Sequence, residues 1–408
     1  MKTIVIFSFP IRGHVNSLIK LSRELIKNNC NVLFYCTDEY RQEIEEIGSE
    51  YVAYHPQIVC RMRRFRESYG DFFAIVDYST ASTGLLDYYV KELQKRKIDI
   101  IIHDVMCRMG KQLGEIMNIW TVASITTFLV EPGICKIPFQ SKRAIIKTII
   151  TRMPYIFKFK LVEYLSSIKY KIHRGGIFNL YYNYESLNIV YTSDKLQPEY
   201  DESKLANYRF EFVGSDIENS TEVQQKKKRK VIYISFGTVY SAGKKFIQMC
   251  IDAFAKSDFV VYISLGNLLS RNEFYSISDN IVIENYIPQV NILKEADLFI
   301  THGGMNSISE ALIMGVPMIL IPLAADQPIV AERLEKLGAG IHLMYNEVNI
   351  SCLKRSVNKM LKLKEYREKC QLLGDELRAA GGSAKAAETI CCYYSEINEE
   401  GFRFDTKR

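Results

Sequence analysis

Short apolar runs alternate with amphipathic segments along most of the chain. In the N-terminal half, the runs of strand length are followed by segments with the 3.6-residue period of a helix. The predicted strands cover residues 3–8, 31–36, 97–103 and 122–125, and the predicted helices cover residues 16–28 and 85–94. In the C-terminal half, strands are predicted at residues 231–235, 260–265, 281–284, 298–301 and 318–321. Strands that alternate with helices indicate parallel sheets with right-handed crossovers.

Two regions break this alternation. Residues 137–184 are rich in Lys, Arg, Tyr, Phe and Ile and favour helical pieces, after which residues 188–192 return to a sheet. Residues 216–230 are polar and charged, as in a linker; their basic end, 226–230, is either a solvated approach to the next strand or an anion-binding patch. The pattern therefore predicts an α/β fold with two doubly wound parallel-sheet domains and a ligand cleft between them. The predicted boundaries are an N-terminal domain at 1–214, a linker at 215–230, a C-terminal domain at 231–385, and a helical tail at 386–408 that packs back on the N-terminal domain.

Composition agrees with two ordinary domains. A chain of 408 residues with 48% hydrophobic and 25% charged residues has material for two cores. The net charge of +6 favours anionic ligands or an anionic membrane surface without arguing for nucleic acid. Ten cysteines without a Cys-x-x-Cys motif, and no secretory signal before the first strand, predict reduced thiols in a cytoplasmic protein. No apolar run reaches the roughly 18 residues of a membrane span.

The sequence lacks the motifs of several common classes of enzyme and metal site. Six histidines with no clustered Cys, His or Asp spacing argue against a structural zinc site. The P-loop pattern, the Gly-x-Ser-x-Gly elbow of hydrolases and a Gly-x-Gly-x-x-Gly turn after the first strand are all missing.

The remaining candidates follow the carboxyl ends of predicted strands, where parallel sheets bind ligands. His302 lies between a strand and a helix, so its imidazole, the hydroxyl of Ser307 and backbone N–H groups can donate to a diphosphate. Alternatively, Gly303 and Gly304 only form a turn, and Asn306 or Ser307 caps the helix. Glu310 either accepts hydrogen bonds from ribose hydroxyls or completes a capping box with Ser307.

Other residues near this helix suit a sugar nucleotide. Asp326 and Gln327 offer a carboxylate and an amide to a polyol, or else form a turn and a helix cap. Tyr286 stacks on a nucleobase or packs in the core. Thr238, in the turn at residues 235–238, provides a second phosphate-facing loop, in which Gly237 is otherwise an ordinary turn residue.

A possible base lies in the N-terminal half. His14 ends the loop at residues 9–14, and a neutral imidazole with a pKa near 6.5 is a natural general base. Asp104 follows a neighbouring strand and can hold the far ring nitrogen of His14 in a His-Asp dyad. The alternative is that each residue is a polar loop or cap residue.

Together these segments resemble family 1 glycosyltransferases, in particular the bacterial macrolide-glycosyltransferase-like group. The resemblance spans the chain and rests on the following motifs: Gly13-His14-Val15-Asn16, Phe212-Val213-Gly214, Ile234-Ser235-Phe236-Gly237-Thr238, Tyr286-Ile287-Pro288-Gln289, Ile300-Thr301-His302-Gly303-Gly304-Met305-Asn306-Ser307, Glu310, Gly315-Val316-Pro317 and Asp326-Gln327.

The resemblance implies a GT-B fold, inverting transfer from a nucleoside-diphosphate sugar, and no required metal or other cofactor. It implies an acceptor-binding N-terminal domain and a donor-binding C-terminal domain. It also implies these roles for individual residues: base stacking by Tyr286, backbone contacts to the base by Ile287, ribose contacts by Gln289 and Glu310, diphosphate contacts by His302, Gly304, Asn306 and Ser307 with Thr238 nearby, sugar contacts by Asp326 and Gln327, and a catalytic base, His14, with Asp104 as its partner.

The chain departs from the family pattern at two positions. Tyr286 stands where plant members usually have Trp, which weakens the stacking, and Ser17 stands where Pro is usual, which affects the start of the helix. The Asp-Gln pair favours glucose from UDP-glucose, with dTDP-sugars as the open alternative.

The predicted function is transfer of a sugar from a UDP-sugar to a hydroxyl of a small, apolar or aromatic acceptor. Two alternatives stay open. One is a lipid glycosyltransferase at the membrane surface, suggested by the cationic and apolar stretch at residues 142–160. The other interpretation of this stretch is that its helices line an acceptor pocket. The second alternative is a catalytically silent binding or activator protein with the same fold. No nucleic-acid partner is predicted, and membrane contact is at most peripheral.

Overall fold

A computed structural model of the chain describes residues 1–67, 72–129, 142–176, 180–216, 229–237 and 242–399, without the side chains of residues 142–152 and 398–399. Thr238 and residues 217–228 of the predicted linker lie outside the described residues. The chain forms two compact units. The N-terminal unit comprises Met1–Tyr191, Glu199–Val213 and Gly381–Arg408, and the C-terminal unit comprises Thr192–Pro198 and Gly214–Ala380.

The N-terminal unit is built on a seven-stranded parallel sheet. Its strands are β1 (Lys2–Phe7), β2 (Cys30–Cys36), β3 (Glu50–Ala53), β4 (Ile100–Asp104), β5 (Trp120–Ile125), β6 (Leu187–Val190) and β7 (Arg209–Phe212). Its first helices are α1 (Arg12–Lys27), α2 (Arg41–Glu46), α3 (Pro56–Glu67), α4 (Phe72–Gly84), α5 (Leu86–Leu93), α6 (Arg108–Met117) and α7 (Lys142–Tyr170). The strand order is β3-β2-β1-β4-β5-β6-β7. The chain therefore runs outwards from β1 to β3 and then crosses to the other side of β1, which makes the β1/β4 border a topological switch point.

The C-terminal unit repeats this design. Its strands are β8 (Val231–Ser235), β9 (Val260–Ser264), β10 (Ile281–Glu284), β11 (Leu298–Thr301), β12 (Met318–Leu320) and β13 (Gly340–His342). Its helices are α8 (Lys244–Phe254), α9 (Gln289–Leu293), α10 (Met305–Ile313), α11 (Gln327–Lys336), α12 (Ile350–Lys362) and α13 (Lys364–Ala379). The parallel order β10-β9-β8-β11-β12-β13 puts a second switch point between β8 and β11. The predicted class, two doubly wound parallel-sheet units, is confirmed.

Alternating side chains of the central strands fill two layers. In β1, Ile4 and Ile6 join one buried cluster, and Val5 and Phe7 join the cluster on the opposite face, as the two-residue period of a strand requires. The last helix, α14 (Gly382–Glu399), contributes Ile390 to the first of these clusters and so packs on the N-terminal unit.

Three strands, the start of α1 and the continuity of α7 differ from the sequence-based prediction. β3, β7 and β13 were not predicted because each is a short edge strand without a continuous buried run. α1 begins at Arg12 rather than at residue 16, so His14 lies in the first turn of a helix and not in a loop. α7 is a single helix of 29 residues with Pro154 inside it, instead of several pieces.

Within the described ranges, none of the helices combines the length and the apolar character that crossing a membrane requires.

Candidate active site

The switch point of the N-terminal unit brings His14 and Asp104 together. β1 and β4 are parallel neighbours, and Asp104 is the last residue of β4. The Nδ1 atom of His14 lies 2.7 Å from Oδ2 of Asp104. The Asp104 side chain is fully buried, whereas 19% of the His14 side chain is exposed. The carboxylate is therefore hidden behind an imidazole that reaches solvent.

Asp104 is fixed from two further directions. Its Oδ1 atom accepts a hydrogen bond from the backbone N–H of Met106 at 2.9 Å. Its backbone carbonyl lies 2.9 Å from Nδ1 of the buried His103, whose Nε2 lies 2.8 Å from Glu185. Lys111 donates to the second oxygen of Glu185 at 3.0 Å. This chain of contacts fixes the end of β4, and with it the position of the Asp104 carboxylate beside His14.

Burial acts to raise the pKa of Glu185. The charge of Lys111 and the hydrogen bond from His103 outweigh this effect and hold the pKa below its ordinary value. Glu185 is therefore ionised at neutral pH, and the His103 ring lies between two acceptors: the carbonyl oxygen of Asp104 and this carboxylate.

Thr126 is a site residue that sequence reasoning missed. Its Oγ1 atom lies 3.1 Å from the same Nδ1 atom of His14 that contacts Asp104. Phe9 packs edge-on against the imidazole with 5.5 Å between ring centroids. The signal was present, because Thr126 directly follows β5, the strand next to β4. The rule that selected Asp104 also selects Thr126.

His302 occupies the switch point of the C-terminal unit. It follows β11, whose neighbour β8 is followed by Gly237. A Cβ atom on Gly304 would lie 2.7 Å from Nε2 of His302, and one on Gly237, whose φ is +77°, would lie 3.0 Å from the same atom. The ring therefore needs a glycine at both positions. Burial lowers the pKa of His302 to about 4, so the imidazole is neutral at pH 7.

The helix after His302 begins at a glycine. Gly304 is the N-cap of α10, and it has no side chain that could accept hydrogen bonds from the first amides of the helix. Asn306 and Ser307 are its second and third residues, so the interpretation that either one is the cap is wrong. The first N–H groups of a helix have no partner within the helix and carry its positive dipole end. This end of α10 suits an anion.

Gln289 joins two of the predicted donor-binding residues. Its Nε2 atom donates to Oε2 of Glu310 at 2.7 Å and to Oγ of Ser307 at 3.0 Å. Glu310 is the sixth residue of α10, so it does not form a capping box with Ser307. Just before α9, the side chain of Tyr286 is 74% exposed, which excludes the core-packing interpretation, and Ile287 is half-buried. An exposed ring can stack on a flat base.

Asp326 and Gln327 have different surroundings. Asp326 is the N-cap residue of α11 and is half-buried. Gln327 is buried, and its Oε1 atom accepts hydrogen bonds from the backbone N–H groups of Leu323 at 2.8 Å and Ala324 at 3.0 Å. The Gln327 oxygen is thus committed to the loop that leads to Asp326, and its amide nitrogen is the end that can contact a ligand.

Metal ligands do not cluster in the described part of the chain. Within those ranges, no group of three or more His, Cys, Asp or Glu side chains could hold a metal ion.

Comparisons with known proteins relate the chain to a wider group. Residues 248–390 match the family model described as "Erythromycin biosynthesis protein CIII-like, C-terminal domain". The chain is 30% identical to the NDP-glycosyltransferase YjiC of Bacillus licheniformis over 404 residues, which covers 95% of this chain and 97% of that protein. It is 29% identical to the uncharacterized UDP-glucosyltransferase YojK of Bacillus subtilis, with 96% and 97% covered. The crystal structure of CalG4, the calicheamicin glycosyltransferase, superposes with a TM-score of 0.76 at 22% identity, covering 97% of this chain and 99% of that one.

Proposed function

This chain belongs to the macrolide-type glycosyltransferases of family 1, and we propose that it transfers glucose from UDP-glucose with inversion and with His14 as the general base. Members of this group have the GT-B fold and act on nucleotide-sugar donors and small-molecule acceptors. The observation that carries the proposal is the 2.7 Å contact between His14 and the fully buried carboxylate of Asp104. A carboxylate only accepts hydrogen bonds, so Nδ1 of His14 carries the hydrogen and Nε2 is left as the basic atom.

The proposed step is a direct displacement. Nε2 of His14 takes the proton of the acceptor hydroxyl, whose oxygen forms a bond to the anomeric carbon of the donor. The bond from that carbon to the diphosphate oxygen breaks, and the electron pair leaves with UDP. Asp104 stabilises the imidazolium that forms, because its negative charge is buried and 2.7 Å away.

Charge that develops on the diphosphate needs partners in the C-terminal unit. We assign this role to the N-terminus of α10, where Asn306 and Ser307 lie, with His302 beside it. His302, with its pKa of about 4, is neutral and adds a polar ring without adding a positive charge. These groups supply the electrostatic stabilisation that other enzymes obtain from a metal ion, and we propose that this chain needs none.

The donor proposal also rests on the Gln289–Glu310 pair and on Asp326. Gln289 orients the Glu310 carboxylate, which can accept from the two ribose hydroxyls. Asp326 offers acceptors to glucose hydroxyls, while Gln327 fastens the loop and presents its amide nitrogen. Two relatives carry glucosyltransferase or NDP-glycosyltransferase names, which supports glucose from UDP-glucose. The proposed acceptor is a small apolar or aromatic compound with a free hydroxyl, and the proposed location is the cytoplasm.

The test is a mass-shift screen of hydroxylated acceptors with UDP-glucose, run in parallel with dTDP-glucose and in the presence of EDTA. We expect a hexose adduct with UDP-glucose, unchanged by EDTA, and a β-linked product from the α-linked donor. His14→Ala should lower kcat by about 10²–10⁴, the usual range for loss of a general base.

His173→Ala is the matched control. His173 is exposed and lies in the same unit, so its removal should leave kcat unchanged. Turnover of His14→Ala near that of the unmodified chain would remove His14 as the base. UDP binding without turnover of any donor would favour the silent binding protein instead.

A further inference from the structure

The outward face of α7 carries a row of large apolar side chains that are about half exposed in the part of the chain that the structure describes. The residues Phe157, Leu161, Tyr164, Leu165 and Ile168, named here the α7 apolar stripe, are between 43% and 67% exposed. At 3.6 residues per turn they fall within roughly 100° of arc, so they form one continuous band along three turns of the helix.

The opposite face of the helix is fixed to the N-terminal unit. Phe159 is fully buried there, and Glu163, only 3% exposed, forms a two-pronged ion pair with the buried Arg108 at 2.9 and 3.0 Å. Rotating the helix to hide the stripe would expose Phe159 and break this buried pair. The buried contacts of α7 therefore keep the α7 apolar stripe on the surface of the N-terminal unit.

The charge of the chain is concentrated on this helix. Its sequence contains seven Lys and Arg residues and one acidic residue, a net charge of +6, which equals the net charge of all 408 residues. The single acid, Glu163, faces inwards. Over the part of α7 whose side chains are described, the exposed charged residues Lys158, Lys160 and Lys169 are all basic.

Individual cations border the stripe. Lys158 and Lys160 are exposed on either side of it, and Arg174 lies over the ring of Tyr164 with 4.6 Å between the guanidinium carbon and the ring centroid. Lys169 contributes less, since it pairs with Asp87 at 2.5 Å. An apolar band edged by basic side chains is the pattern of a helix that lies in a membrane interface.

We propose that the α7 apolar stripe and its bordering cations bind the surface of a bilayer containing anionic lipids, with the helix lying in the interface plane. The apolar side chains enter the boundary between headgroups and acyl chains, and Lys158, Lys160 and Arg174 contact the lipid phosphates. A second copy of this chain is a poorer partner, because two helices of charge +6 would repel each other. The proposal does not depend on which sugar or acceptor the enzyme uses.

The test is co-sedimentation of the full chain with two kinds of vesicle. We expect binding to phosphatidylcholine vesicles that contain about 30% phosphatidylglycerol at about 0.05 M salt, and loss of most binding at about 0.5 M salt, where charges are screened. Vesicles of phosphatidylcholine alone should bind at least tenfold less protein, since each basic residue near an anionic surface contributes roughly fivefold.

Two pairs of variants separate the stripe from general surface effects. Lys158→Glu with Lys160→Glu should lower the partition coefficient at least 25-fold, roughly fivefold per lost cation. The matched control, Lys354→Glu with Lys362→Glu, makes the same change in net charge on exposed positions of α12. Phe157→Glu should abolish binding, whereas Leu372→Glu, at a similarly exposed position of α13, should retain it. All the substituted side chains are exposed, and unchanged melting temperatures will verify the folds.

Three results would overturn the proposal. The first is no sedimentation of the unmodified chain with anionic vesicles at low salt. The second is equal loss of binding in the control pair, which would indicate a general charge effect. The third is a concentration-dependent dimer that Phe157→Glu dissociates, which would assign the stripe to a second copy of the chain.

Discussion

Replacing Asp104 with Asn perturbs the proposed base without changing the shape of the site. Asp104 has two engaged oxygens, one facing the N–H of Met106 at 2.9 Å and one facing Nδ1 of His14 at 2.7 Å. Asn has a single side-chain oxygen. The Met106 N–H can only donate, so it holds that oxygen and turns the NH₂ group towards His14.

The consequence is the wrong tautomer of His14. Facing a donor, Nδ1 must become the acceptor, and the hydrogen moves to Nε2, the atom that has to take the proton of the acceptor hydroxyl. We expect kcat to fall by about 10³–10⁴, the scale of such a change in a His-Asp dyad. Asp104→Ala should be less damaging, with a loss of about 10²-fold, because Oγ1 of Thr126, 3.1 Å away, can still accept from Nδ1 and keep the useful tautomer.

The assay is the initial rate of UDP release at saturating donor and acceptor, with melting temperature as the control for folding. Since Asn acts only through His14, adding Asp104→Asn to His14→Ala should cause little further loss. Asp104→Ala with Thr126→Val should fall to the level of Asp104→Asn. A kcat for Asp104→Asn within about tenfold of the unmodified chain would refute the dyad, and so would Asp104→Ala being the slower of the two single variants.

Three further predictions concern other parts of the molecule. Burial lowers the pKa of His302 to about 4 from an ordinary 6.5, so between these pH values the residue stays neutral in the folded chain and takes up a proton in the unfolded chain. The free energy of unfolding should therefore fall by about 3 kcal/mol from this residue as the pH falls from 6.5 to 4. In urea unfolding, His302→Gln should show that much less acid sensitivity, and identical pH profiles would contradict a buried neutral imidazole. Gln289→Ala, which removes one donor from the Glu310 carboxylate, should raise the Michaelis constant for UDP-glucose about tenfold, equivalent to about 1.4 kcal/mol, with kcat nearly unchanged. Initial rates against donor concentration will check this, and a fall in kcat alone would place Gln289 in the chemical step. Arg108→Met leaves the buried Glu163 carboxylate without its cation and with only neutral donors, and it should lower the free energy of unfolding by about 3–5 kcal/mol. Adding Glu163→Leu should recover most of that loss, and an equally unstable double variant would show that packing, not charge, dominates.

Sequence periodicity predicted the central strands and the edge strand β10 well, and it missed the other three edge strands. The observed bounds of β8, β10 and β11 equal the predicted ranges, because their apolar residues lie in runs bounded by polar residues. The edge strands β3, β7 and β13 have three or four residues and form only when a neighbouring strand offers its hydrogen-bonding edge. Their pattern carries no local signal, since the interaction that creates them is not local.

The start of α1 shows the same limit. Gly13 favours a loop by its own preference, yet the helix begins at Arg12 without a capping side chain. Burial of Val15 and Leu18 against the sheet supplies the stabilisation that the local sequence lacks.

The sequence by itself determined the alternation of strands and helices, and hence which polar residues follow strand ends. It selected His14, Asp104, His302 and Ser307 on that ground alone. Only the tertiary structure decided which of them meet. His14 and Asp104, 90 positions apart, come within 2.7 Å because β1 and β4 are neighbours, and Thr126 joins them because β5 is next in the sheet. Likewise, the sequence marked residues 142–160 as cationic and apolar, but the buried contacts of Phe159 and Glu163 decided which side of α7 faces outwards. The physical reason is common to both cases: periodicity is a property of near neighbours in the chain, whereas pairing and burial depend on residues that only the folded sheet brings together.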